Sequence, residues 1–156
     1  MQPFLRWAGG KRWLVPKIVN KLPSYGRYFE PFAGSGVLFF ALEPKNAVLS
    51  DTNPESINCY KAVRNHCDQV IKILSKLRMD EETYYRVRDK SYHRVDPIKR
   101  AAFFIYLNRT CWNGLYRVNR QGRFNVPVGQ LDRLESLFDP SELIIASHML
   151  KRARIQ

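Results

Sequence analysis

Cysteine is scarce: Cys59, Cys67 and Cys111 are all that 156 residues contain, and no two have CxxC spacing. An odd, scattered set of thiols excludes a disulfide-stapled secreted scaffold and points to free thiols in a reducing, cytoplasmic setting. Cys59 and Cys67 lie near His66 on one helical stretch, but no further ligand types stand at metal spacing, so buried thiols are the plainer reading. Long apolar runs are also missing. The most extended, from Val37 to Leu42 and from Ala101 to Leu107, stop at polar or charged residues, well short of the ~18 residues a membrane span needs. The opening Met1-Gln2-Pro3-Phe4-Leu5-Arg6-Trp7 has no continuous apolar core of the signal-peptide kind.

Acids are the second shortage: 14 against 26 basic residues, for a net charge of +12. Two stretches have none at all. Residues 1–27 carry Arg6, Lys11, Arg12, Lys17, Lys21 and Arg27, and residues 109–130 carry Arg109, Arg117, Arg120 and Arg123. Charge of one sign gathered in two places points to a polyanion, with nucleic acid the leading candidate and a generally basic surface the bland alternative. With 45% hydrophobic and 13% aromatic residues, the chain can bury a core of about one domain and is no disordered basic tail.

The pattern along the chain is that of an α/β protein. Trp13, Leu14, Val15, Ile18, Val19 and Leu22 recur at helical spacing until Pro23. Tyr28-Phe29 reads as a strand, Gly34-Ser35-Gly36 as a tight turn and Val37 to Leu42 as a buried helix. Ala47 to Ser50 reads as a second strand ending at Asp51. Asn53-Pro54, Asp80, Asp96-Pro97 and Asp139-Pro140 are helix starts, with a capping side chain and, in three of the four, a proline whose missing N–H costs nothing there. Between them, residues 108–130 lose helical periodicity, and Asn113-Gly114 and Gln121-Gly122 predict a polar hairpin or long loop. A last strand begins near Ala153.

Strand, glycine turn, helix and a second strand ending in an acid form the first half of a doubly wound sheet, whose turn holds a nucleotide-like cofactor. Two cofactor classes compete. A dinucleotide turn wants a third glycine where this chain has Phe39. S-adenosylmethionine has no pyrophosphate and needs only the close backbone approach that Gly34 and Gly36 permit, with Asp51 placed for ribose hydroxyls.

Phe4-Leu5-Arg6-Trp7-Ala8-Gly9-Gly10-Lys11, Phe29-Glu30-Pro31-Phe32-Ala33-Gly34-Ser35-Gly36 and Ser50-Asp51-Thr52-Asn53 resemble, in this order, the cofactor motifs of the Dam-type DNA adenine-N6 methyltransferases. Tyr106 to Arg109, Trp112 to Arg117 and Gly122 to Gly129 resemble that family's target-recognition hairpin. The resemblance implies an S-adenosylmethionine site made by Trp7, Lys11, Phe32, Gly34, Gly36 and Asp51. It also implies a duplex-DNA reader made by Arg109, Trp112, Asn113, Leu115, Arg117, Arg123 and Pro127. The chemistry of these side chains agrees. Asn pairs bidentately with adenine and Arg with guanine, and an inserted aromatic offsets the cost of extruding a base. Some of the arginines are expected to hold phosphates without reading sequence.

The family's Asp-Pro-Pro-aromatic motif, which would hold the reacting amine, does not occur in these residues. Asp96-Pro97-Ile98 and Asp139-Pro140-Ser141 continue differently and read as helix starts. The expectation is therefore an incomplete doubly wound, Rossmann-like methyltransferase fold with a helical and hairpin recognition insertion, truncated before its catalytic motif. Residues 1–53 would form the cofactor part, 54–135 the recognition region and 136–156 the return to the core. A non-enzymatic DNA-binding module, or one half of a split enzyme completed by a second chain, is the alternative.

Overall fold

The computed structural model describes residues 1–7, 9–10, 12–24, 26–90 and 95–156. Lys11, Tyr92 and His93 therefore lie outside the described residues. Three short strands, β1 (Tyr28–Glu30), β2 (Ala47–Leu49) and β3 (Ala153–Ile155), form a parallel sheet in the order β1-β2-β3. Tyr28 pairs with Ala47 and Ala47 with Ala153. The buried-strand run from Ala47 has all three of its residues covered, as expected of a central parallel strand.

Among the described residues six helices accompany the sheet: α1 (Val15–Val19), α2 (Val37–Leu42), α3 (Pro54–Leu74), α4 (Glu81–Arg88), α5 (Pro97–Thr110) and α6 (Pro140–Leu150). The four capping signals work as read. Asn53 accepts from Glu55 N, Asp80 from Thr83 N, Asp96 from Ile98 N and Lys99 N, and Asp139 from Ser141 N. Both Asp-Pro pairs are thereby helix starts. Helix α5 is the hub: every residue from Ala101 to Asn108 is buried, because an all-round apolar helix must be enclosed. Its neighbours are α3, whose buried residues include Cys59, Tyr60, Val63 and Leu74, and α4, with Tyr84 and Val87 buried. Arg64 of α3 donates from Nη1 to the Ala153 carbonyl at 3.0 Å and fixes β3 to the helix layer.

One expectation is met in a shorter form and one needs correcting. The short helix expected over the apolar period from Trp13 to Leu22 is present as a 3-10 turn (Arg12–Leu14) followed by the five-residue α1, with no residue of either fully covered. Trp13 is 69% exposed. Pro16 and Pro23 leave too short a helix to present one continuous stripe. Helix α5 also runs three residues further than its apolar run, so Asn108, Arg109 and Thr110 stand on its last turn and not in the hairpin. Among the described residues, no helix is long and apolar enough to cross a membrane.

Candidate functional site

The turn after β1 is held from three sides. Gly34 and Gly36 take left-handed φ angles of 51° and 67°, a conformation in which a side chain strains the backbone. Asp51, just beyond the end of β2, accepts from Gly34 N at 2.7 Å through Oδ2 and from Asn53 N at 2.8 Å through Oδ1. The buried Tyr60 donates its hydroxyl to the Gly34 carbonyl at 2.6 Å. Asp51 thus ties the glycine turn to the start of α3, and each of its oxygens keeps a further lone pair.

In front of this turn lies a cavity of about 490 Å³, lined by Trp7, Gly10, Glu30, Phe32, Gly34 and Asp51 among others, a size within the range of small-molecule sites. Phe32 is 82% exposed and stands at the rim. Glu30, at the end of β1, accepts from Tyr28 Oη at 2.9 Å and from Phe39 N at 3.2 Å. Burial pushes its carboxyl up to about 7, although both hydrogen bonds favour the charged form. Trp7 closes the cavity, its indole so close that a Cβ on Gly34 would lie 3.1 Å from the ring.

The second feature is the segment after α5. A 3-10 turn (Trp112–Gly114) leads into two antiparallel bridges, Cys111 with Val128 and Val118 with Phe124, which confirms a hairpin. Asn119 Oδ1 accepts from Gln121 N and Arg123 N and closes its tip. Trp112 N donates to Pro127 O at 3.0 Å, which fixes the backbone that presents the indole, 48% exposed. Asn113 has φ 53° and an exposed side chain. Arg117 bonds both the side chain and the carbonyl of Asn125, at 2.8 and 3.1 Å, which fixes an exposed guanidinium. Arg123 and Pro127 are exposed and Leu115 half-buried. Arg109, on α5, is half-buried and donates from Nε to Leu137 O at 3.2 Å. Cys111 beside them is pushed up to about 11 by burial, so its thiol stays neutral and inert.

Three residues that sequence reasoning left out support the site, and two of them, Asn108 and Tyr116, join the two features. Asn108, a polar residue in an apolar helix, accepts from Arg6 N at 2.7 Å and donates to Arg6 O at 2.7 Å and to Gly114 O at 3.4 Å. A Cβ on Gly114 would fall 2.6 Å from that of Arg6, so only glycine permits the approach. Tyr116 stacks on Trp7, with centroids 6.4 Å apart and planes 9° apart, and leans on Phe124 of the hairpin. Tyr60 anchors the glycine turn. Asn108 signalled itself by polarity inside an apolar run. Tyr60 and Tyr116 gave no signal beyond helix packing and hairpin alternation.

A model of the D12 class N6 adenine-specific DNA methyltransferases matches residues 7–156. The type II methyltransferase M.MjaIII of Methanocaldococcus jannaschii is 42% identical over 99% of the chain and 61% of its own length. The type II methyltransferase M1.LlaDCHI of Lactococcus lactis subsp. cremoris is 40% identical over 83% of the chain and 48% of its own. A DNA adenine methylase of Serratia marcescens is 39% identical over 81% of the chain and 48% of its own. The chain thus spans about half to three-fifths of these relatives, and with its glycine turn, cavity and hairpin it belongs to the D12 class N6 adenine-specific DNA methyltransferase family.

Proposed function

We propose that these residues supply the cofactor pocket and the target reader for methylation of adenine N6 in duplex DNA, with S-adenosylmethionine as methyl donor. The observation that carries the reading is the continuous array from Asp51 and Gly34, through Trp7, to Tyr116 and the basic hairpin. A cavity and a reader joined through one indole fit a reaction whose two substrates must meet. They argue against a binding module that has lost its chemistry.

The cavity fits the cofactor on its own chemistry. Gly34 admits close backbone approach at the cavity wall while Gly36 turns its open side to Phe40 and Tyr60 and shapes the turn, Asp51 retains acceptor capacity for ribose hydroxyls, Trp7 offers an aromatic face, and Glu30 adds an acidic group suited to a cation. When bound, S-adenosylmethionine supplies an electrophilic methyl group on a sulfonium. In this reading Gly34, Gly36, Phe32 and Asp51 hold and orient it, and Lys11 is assigned to its carboxylate by the family motif. Trp112 fills the space of an extruded base. Asn113 and Arg117 read base edges, with Leu115 and Pro127 supporting them, while Arg109 and Arg123 contact the backbone. The small parallel sheet is read as part of a Rossmann-like core, with residues 54–135 as the recognition insertion and a cytoplasmic setting.

Equilibrium dialysis with labelled S-adenosylmethionine and anisotropy with duplex DNA test this. Asp51→Ala should weaken cofactor binding and leave DNA affinity nearly unchanged. Equal cofactor affinity in both forms would remove Asp51 from the site.

A further inference from the structure

Between the cavity and the hairpin lies a cleft of about 370 Å³ whose walls include Arg6, Trp7, Arg12, Ser35 and Arg109. It shares Trp7, Gly10 and Ser35 with the cofactor cavity. On the other side it shares Arg6 and Arg109 with a pocket that reaches Trp112, Asn113 and Arg133. We propose that Arg6, Arg12 and Arg109 form a phosphate site that grips the backbone beside the nucleotide turned toward the cofactor. This deepens the functional reading above and rests on it.

The argument is electrostatic. Three guanidiniums line one concavity, and among the described residues none of them is in an ion pair. Arg109 is held below its usual value by burial and then by Arg6, with Glu142 opposing and Arg12 adding to the effect. Like charges gathered on a half-buried wall repel one another in the free protein, and an anion relieves that repulsion. The geometry is pre-set: Arg109 Nε is fixed on Leu137 O, and Arg6 Nη1 donates to Arg109 O at 3.5 Å. Fixed forks suit phosphate oxygens, which guanidinium binds in parallel pairs. Position decides which phosphate. The cleft sits where a strand must pass if its neighbouring base is read by the hairpin and its own base turns toward the cofactor. The competing anion is the cofactor's carboxylate, which the shared wall also brings near.

The test uses the full chain and a short labelled duplex carrying one abasic nucleotide, with the phosphates beside it either intact or replaced by neutral methylphosphonate. In the wild type the neutral linkage should weaken binding about tenfold, as loss of a charge-assisted hydrogen-bonded contact does, and reduce the salt slope by about 1. Arg6→Gln/Arg12→Gln should lose the same factor on intact DNA and become indifferent to the methylphosphonate. Arg12→Gln alone, at an exposed position on the 3-10 turn, should melt no lower than the wild type and show part of the same loss. Equal sensitivity to the neutral linkage in wild type and double variant overturns the site. So does a variant that loses S-adenosylmethionine and keeps DNA, which assigns the cleft to the carboxylate. A wild type that binds cofactor but no duplex takes the functional reading and this site down together.

Discussion

Glu30→Gln should make the protein more stable, and increasingly so as pH rises. The carboxyl moves from an ordinary 4.5 to about 7 because burial disfavours its charge more than Tyr28 and Phe39 N favour it. A folded-state value above the unfolded one means the folded protein binds the extra proton. The stabilisation is full below pH 4.5 and is lost as pH climbs through about 7. At 1.36 kcal/mol per pH unit this amounts to about 3 kcal/mol, and water reaching the cavity side of the residue reduces it to about 2 kcal/mol. Glutamine can accept from both Tyr28 Oη and Phe39 N through its amide oxygen while carrying no charge. Thermal melts of wild type and variant from pH 5 to pH 8.5 measure the difference directly. It should start small and reach about 2 kcal/mol at the alkaline end, or about 4–8 °C in Tm for a domain of this size. Two parallel curves, separated by a constant amount across the range, would refute the buried-carboxylate argument. The same substitution should weaken binding of a cationic cofactor, which identifies why an unfavourable charge is kept there.

Asp51→Ala should lower stability by about 1–3 kcal/mol because Gly34 N and Asn53 N lose their acceptor, measurable by urea unfolding alongside the cofactor titration. Gly34→Ala must adopt φ 51° and meet the Trp7 ring; it should cost about 1–2 kcal/mol and alter Trp7 fluorescence, and an unchanged spectrum would show that the ring is not in place. Asn108→Ala leaves both backbone groups of Arg6 without their side-chain partner, so it should cost about 2–5 kcal/mol and weaken the response of DNA affinity to cofactor. Arg117→Ala should relax base preference in a competition assay, whereas Arg120→Ala should mainly reduce the salt slope; the reverse pattern would reassign the reader.

Local rules carried most of the fold. A short polar side chain, mostly followed by proline, marked the starts of α3, α4, α5 and α6, because capping is decided within a few residues. The glycine turn was legible for the same reason. The N-terminal apolar period marked a short helix but not its exposure, since Trp13 and its neighbours satisfy a helix face and no described element covers them fully. What could not be read were the joints. Tyr60 reaches Gly34 across 26 residues, Asp51 reaches it across 17 and Asn108 reaches Arg6 across 102. Such contacts depend on how helices pack, and no spacing in the sequence announces them. Arg6 and Arg12 belonged to one basic stretch and Arg109 to the other, and only packing brings the two stretches to one cleft.

The Asn108 clamp has a consequence in time as well as in space. It ties residue 6 to residue 108, and on a ribosome moving at about 5–20 residues per second the two emerge about 5–20 s apart. During that interval the opening segment can meet Phe40, Tyr60 and the glycine turn, but the backbone of Arg6 has no Asn108 to lock it. Long-range closure of this kind slows folding, so the last event should be the arrival of the N-terminus, in one step that finishes pocket and reader together.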